Sequence, residues 1–226
     1  MSNLQLLTMV CHEIETILEQ TVLVGGCATE LLLTDKGAPE VRYTTDVDML
    51  IEVVSLVEYY QACEQLKNLG FHENHEVICR WEKNGLILDF MPTDEKILGF
   101  GNPWYKDAIK HKSSTVLDGM TVYHISAPYF IATKLEAFAT RGNNDFWSSH
   151  DLEDIISVID GRSELQTEIY DVTPELRKFI QNKFSQLIND DQFIEALPGY
   201  LSPDSASQKR LKPLKEKLVK LAYSDT

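Results

Sequence analysis

A chain of 226 residues with 43% hydrophobic content can bury a core of its own, as one large domain or two modest ones. Its formal charge of -14 argues against a protein coated in nucleic acid, because nonspecific affinity for a phosphate backbone comes from clusters of lysine and arginine. Cys11, Cys27, Cys63 and Cys79 lack paired spacing and read as reduced core residues, while residues 1–20 mix apolar side chains with His12, Glu13, Glu15 and Glu19, so the expectation is a cytoplasmic protein with neither secretion signal nor membrane span.

In chain order, Leu4, Leu7, Val10, Cys11, Ile14, Ile17 and Leu18 follow a helical stripe. Residues 22–24 are an apolar, strand-like run that stops at Gly25 and Gly26, and residues 27–33 have helical composition. A glycine pair between strand and helix lets the backbone approach a ligand closely, and amides at the start of the following helix are donors for an anion, phosphate above all. After a loop at residues 36–39, Asp46 and Asp48 lead into a β-branched and apolar run that ends near Ile51. On a strand, residues two apart share a face, so the two acids would stand about 7 Å apart at their Cα atoms with Val47 and Met49 buried behind them. Acids placed in this way can hold one or two hard divalent cations.

Ser55 caps a predicted helix over residues 56–69, with Leu56, Tyr59, Tyr60, Cys63, Leu66 and Leu69 on one face and Gly70 closing it. Residues 77–81 and 86–91 read as strands joined through Asn84 and Gly85, a strong hairpin signal. The second strand carries Asp89 among large apolar residues, where a charge is costly unless paired or bound to a cation. Alone, Asp89 reads as an acid at a frayed strand end facing water. Beside Asp46 and Asp48 it becomes the third carboxylate of a site in which two ions about 3.5–4 Å apart share ligands. His72 and His75 lack the spacing of a zinc protease and are expected to be exposed.

Beyond Pro92 come a loop at residues 99–103, a short helix at 104–111, and strands at 115–117 and 122–125 joined across Asp118 and Gly119. From Ala127 the pattern is helical, at residues 129–141, 149–160 and 173–189, with a basic tail at 209–220 that reads as a solvated helix face. The expected domains are therefore 1–126 and 127–226. Lys134 and Arg141 fall on one helix face, and Asp151 and Asp154 on one face of the next, which by themselves suggest an ion-pair network between packed helices. Tyr43 and Trp104 are candidates for stacking on a base, although core packing is the better reading of both.

The order Gly25-Gly26, Asp46-Val47-Asp48, then Asp89 between apolar neighbours, spread over residues 22–92, resembles the DNA polymerase beta type nucleotidyltransferase superfamily. The gap between Gly26 and Asp46 is longer than in compact members. With the run Arg42-Tyr43-Thr44-Thr45-Asp46-Val47-Asp48, it is similar to the bacterial abortive-infection and toxin branch. The resemblance implies an α/β (α+β) fold, with a nucleotidyltransferase-type mixed sheet and flanking helices followed by a helical C-terminal domain. It implies transfer of a nucleoside monophosphate from a nucleoside triphosphate to an acceptor hydroxyl. By the same resemblance Asp46, Asp48 and Asp89 are catalytic and bind Mg2+ or Mn2+, and Gly25, Gly26, Thr29 and Thr45 lie at the nucleotide. Lys134 and Arg141 reach its phosphates, and Asp151, with Asp154 nearby, orients the lysine or acts on the acceptor. Transfer RNA or another RNA, a small molecule of aminoglycoside type and a protein side chain all stay open as acceptors, a toxin would have a cognate antitoxin protein, and the alternative is a nucleotide-binding regulator without turnover.

Overall fold

The run Thr-Val-Leu-Val forms β1 (Thr21–Val24), a strand with every side chain buried, in the computed structural model, which describes residues 1–223. The chain divides into two units, one of Met1–Leu31 and Tyr43–Ser126, the other of Leu32–Arg42 and the residues from Ala127 on. Around β1 the first unit places α1 (Asn3–Glu13), α2 (Glu15–Leu18), a 3-10 turn over Gly26–Ala28, α3 (Thr29–Leu32), β2 (Val47–Ile51) and α4 (Leu56–Asn68). Then come β3 (His72–Glu73), β4 (Arg80–Lys83), β5 (Leu86–Pro92), α5 (Glu95–Leu98), α6 (Tyr105–Lys110), β6 (Ser113–Leu117) and β7 (Met120–His124). The strands form one sheet in the order β3-β4-β5-β2-β1-β7-β6. Its β2/β5 and β1/β7 pairs are parallel and the others antiparallel, so the sheet is mixed, as expected.

The sheet core follows the alternation of the strands: Val47 and Met49 of β2 and Leu88 and Phe90 of β5 are fully buried. The hairpin between β4 and β5 turns on Asn84 and Gly85, both at positive φ (51° and 81°), the conformation of a type I′ turn. The strand expected from residue 77 begins only at Arg80, because Cys79 sits at φ 67°, outside the extended region, and Val77 and Ile78 are exposed. The first helical stripe is two helices, broken at Ile14, and α1 opens with a capping box in which Ser2 and Gln5 satisfy each other's backbone amides. On α4, Ser55 caps as expected and Tyr59, Ala62, Cys63 and Leu66 are buried, but Leu56 and Tyr60 are 42% and 57% exposed. Tyr43, expected in the core, is 51% exposed.

The second unit contains α7 (Ala127–Arg141), α8 (His150–Gly161), α9 (Leu165–Asp171), α10 (Pro174–Ile188), α11 (Asp191–Ala196), α12 (Ser205–Lys209) and α13 (Leu211–Tyr223). The basic tail differs from a solvated face. Helix α13 buries Leu214, Leu218, Leu221 and Ala222, and Lys217 Nζ donates to the carbonyls of Ile159 and Asp160 at 2.9 and 2.7 Å. Arg210 adds bonds to Asp160 and Asp35 at 2.6 and 2.9 Å, so the cations close the carbonyl end of α8 and complement its dipole. The loop expected as an insertion belongs to this unit: the amides of Thr34 and Asp35 both donate to Gly161 O at 2.9 Å. A Cβ on Gly161 would lie 2.8 Å from Leu33, so the missing side chain is what lets the loop pack. Among the described residues no helix is long and apolar enough to cross a membrane.

Tyr59 joins α4 to β5 through a buried hydrogen bond, its hydroxyl donating to Phe90 O at 2.8 Å. Tyr59→Phe keeps the ring and removes that bond, so it is expected to lower stability by about 1 kcal/mol. A urea midpoint that falls at constant slope would register it.

Candidate active site

Strand register brings the acids together. Asp48 of β2 is the direct partner of Val24 on β1 and of Asp89 on β5, and Asp89 is the direct partner of Arg80 on β4. Directly paired residues project to the same face of a sheet, so Asp48, Asp89 and Arg80 form one cross-strand row. Asp46 stands one residue ahead of β2, where it accepts a hydrogen bond from Thr44 Oγ1 at 2.9 Å. Thr44 is itself fixed, its amide donating to the buried Asn3 side chain of α1 at 3.0 Å.

Gly25 borders the row for a steric reason. It has φ 65° and ψ -164°, and a Cβ there would lie 1.9 Å from Asp48 Oδ2. Gly26 is buried in the turn that follows, and Thr29 is fully buried at the start of α3 with its hydroxyl lacking a hydrogen-bond partner. Thr45 is exposed.

The group that neutralises Asp89 is Arg80, which sequence reading did not single out. Its Nε donates to Asp89 Oδ1 at 2.8 Å, and its Nη2 donates to both Asp89 Oδ2 and Asp46 Oδ2 at 2.8 Å. The hydrogen bonds to Asp89 push the guanidinium pKa up against the opposing effect of burial. No simple sequence signal marks this pair, because the strand start that aligns Arg80 with Asp89 depends on the left-handed backbone at Cys79. The nearby thiols are held protonated: burial first, then Asp89 and Asp48, push Cys79 up to about 12. Burial first, then Asp48, raises the Cys27 thiol as well.

The donors are carboxylate oxygens, the chemistry that suits Mg2+ or Mn2+. Gly25 keeps the backbone clear of one of them. In the arrangement seen, Arg80 stands between Asp46 and Asp89, and among the described residues no group of three or more His, Cys, Asp or Glu side chains forms a ready metal-binding set. The residues therefore fit such an ion in kind, while in this arrangement Arg80 Nη2 bonds two of the carboxylates. A cavity of about 370 Å3, lined by Val22, Ile51, Glu52 and Glu58, lies toward the opposite end of β1 and β2, where Thr21 pairs with Ile51.

The helical candidates gather within the second unit. Lys134 Nζ lies 3.1 Å from Asp151 Oδ1 and 2.7 Å from Asp154 Oδ2, and Arg141 reaches Asp151 at 3.2 and 3.3 Å. Arg42, read in sequence only as part of the run before Asp46, clamps Asp154 with both Nε and Nη2 at 2.8 and 2.9 Å. Asp154 is 1% exposed and held from two sides, which makes it a structural clamp, whereas Asp151 lies nearer the surface beside the exposed Arg141. Burial alone would raise the Asp151 pKa, but Lys134 and Arg141 outweigh it and hold the carboxyl below its ordinary range.

No protein-family model matches the chain, and no curated protein does. Solved structures are similar in fold. An antigenic nucleotidyltransferase-like protein from Paracoccidioides brasiliensis is 18% identical, with 86% of this chain and 93% of that one covered at a TM-score of 0.50. JHP933 from Helicobacter pylori is 12% identical, with 97% and 91% covered, also at 0.50. The mixed sheet with flanking and C-terminal helices is thus a nucleotidyltransferase-like fold.

Gly25→Ala and Gly119→Ala both put a side chain at positive φ, but only the first meets a carboxylate, since nothing lies within 4 Å of a Cβ at Gly119. The Gly25 variant is expected to be less stable than the Gly119 variant by about 1–3 kcal/mol, read from paired denaturation curves. For Asp151 the folded-state pKa is depressed, so its stabilisation is fully present above the unfolded aspartate value near 3.9 and is lost as pH falls through the folded value. Asp151→Asn should therefore be less stable than wild type at about pH 7 yet lose less stability between about pH 5 and about pH 3.

Proposed function

We propose that this chain is a metal-dependent nucleotidyltransferase that moves a nucleoside monophosphate from a nucleoside triphosphate to an acceptor hydroxyl and releases pyrophosphate. The observation that carries the reading is the in-register pair Asp48 and Asp89 on parallel strands, with Asp46 directly ahead and Gly25 shaped around Asp48. Likeness of fold to nucleotidyltransferase-like structures supports it.

Asp46, Asp48 and Asp89 would hold Mg2+ or Mn2+, which when bound supplies charge neutralisation for the triphosphate and a template for in-line displacement. Gly25 and Gly26 let the backbone close on the phosphates. The buried Thr29 hydroxyl and the exposed Thr45 side chain are donors for the same ligand. Asp89 takes the proton from the acceptor hydroxyl as the new phosphoester bond forms. In the second unit Lys134 and Arg141 both lie against Asp151, which supports an anion-binding role for the two cations, with Asp151 orienting the lysine.

The resemblance of residues 42–48 to the toxin branch favours transfer RNA as acceptor and an antitoxin as partner; a small-molecule or protein acceptor is the other course of the same chemistry. A second reading, a nucleotide-binding regulator without turnover, draws on the position of Arg80 between two of the carboxylates.

Incubating the protein with each labelled triphosphate, divalent metal and a mixture of RNA, protein and small metabolites identifies the acceptor class by the fraction that takes up label. Asp46→Asn and Asp48→Asn are each expected to cut transfer by on the order of 100-fold or more while leaving the fold intact. Triphosphate should raise the melting temperature of wild type only when divalent metal is present. Full transfer by both variants would remove the acidic row from the chemistry, and a metal-dependent shift without any transfer would favour the regulator.

A further inference from the structure

We propose that Arg80 is a resident counter-ion whose displacement couples divalent metal to triphosphate, so that the site takes the two together and resists the metal alone. The inference rests on the nucleotidyltransferase reading and adds a residue to it.

One guanidinium nitrogen lies 2.8 Å from oxygens of both Asp46 and Asp89, so an ion shared by those carboxylates must take the place of that nitrogen. Octahedral Mg2+ needs its ligand oxygens about 2.0–2.1 Å from its centre, closer than the guanidinium holds them. Free metal therefore competes with a bidentate, charge-assisted pair already made. Metal that arrives with a triphosphate brings its own anion, and the released guanidinium, on a strand two removed from β2, gains phosphate oxygens in exchange for carboxylate oxygens. The exchange costs the arginine little in the second case and a great deal in the first.

The backbone around Arg80 is fixed, which confines the movement to its side chain. Cys79 is held at φ 67°, a region where a non-glycine residue stays only if its surroundings determine it. On one side the Phe90 amide donates to Cys79 O at 2.8 Å, and on the other the Asn74 amide donates to Arg80 O at 2.9 Å. The Asn74 side chain accepts from the amides of Glu76 and Val77, both at 2.8 Å, and donates to Glu82 at 2.6 Å. Local structure thus places position 80 opposite Asp89 and keeps it there.

The test is titration calorimetry of the full chain with Mn2+ alone, and with Mn2+ plus a nonhydrolysable nucleoside triphosphate analogue. Arg80→Gln is expected to bind Mn2+ alone at least tenfold more tightly than wild type and to bind the Mn2+–analogue pair more weakly, so that the coupling between the two is lost. Arg80→Lys, which keeps the charge without the fork, should fall between. If the Gln variant does not fold, the Lys variant and the wild-type Arg80 Nε–H resonance decide: that signal should be sharp and protected in chelator and should shift when metal and analogue are added together. Wild type that binds the pair while both variants leave Mn2+ affinity unchanged, or a resonance indifferent to the pair, would overturn the role of Arg80 and leave the transferase reading standing. Wild type that binds neither Mn2+ nor the pair would overturn both.

Discussion

Three aspartates crowded at adjoining ends of two parallel strands repel one another, and a sheet can hold them only if something offsets that repulsion. Here the offset is the fork of Arg80, which satisfies both oxygens of Asp89 and one of Asp46. The rest of the first unit reads as the conditions for that contact. Register between β4 and β5 sets the arginine opposite Asp89, and register between β2 and β5 sets Asp48 beside it. Thr44 and Asn3 turn Asp46 into the row, and Gly25 forgoes a side chain so that Asp48 can enter it.

Much of that row was legible in the sequence because its signals are local. Val22 to Val24, the glycine pair, the Asp46 and Asp48 alternation and the Asn84–Gly85 turn each declare a short stretch of backbone through its own chemistry. What escaped depends on distant or exceptional geometry. Sequence pattern extends the hairpin strand back to Val77, and only the positive φ of Cys79 cuts it at Arg80 and swings the arginine toward the acids. Asp89 announced a missing cation by its apolar neighbours, but the answer lies nine positions back across the hairpin. The pairing of Arg42 with Asp154 spans 112 positions and leaves no periodic trace. Basic residues 209–220 misled in the other direction, since their charge suggests solvent while Lys217 and Arg210 are drawn to the carbonyl end of α8.

In the second unit the charges are arranged to a different end. Asp154 is almost inaccessible and receives Arg42 and Lys134 together, so deleting either cation would leave a buried carboxylate short of a partner, a loss of about 3–5 kcal/mol in comparable pairs. Asp151 lies at the edge of the same cluster, against an Arg141 whose side chain is 71% exposed. A contact of that kind contributes little to stability because solvent screens it. The cluster therefore grades from the buried Asp154, held by Arg42 and Lys134, to an Asp151 that Lys134 shares with the exposed Arg141.

A fold shared at 18% and 12% identity carries no chemistry by itself, since one fold hosts many activities. The chemical content lies in features the fold does not require. A sheet built for stability alone would set apolar residues at the Asp48 and Asp89 pair, as it does at the neighbouring pair of Met49 and Phe90. It would not need a glycine yielding space to a carboxylate, or a cysteine held in the left-handed region beside Arg80. Were the row a purely structural ion pair, a single acid opposite Arg80 would suffice. The fork instead spans two carboxylates in a row that contains a third, Asp48, around which the backbone of Gly25 is shaped.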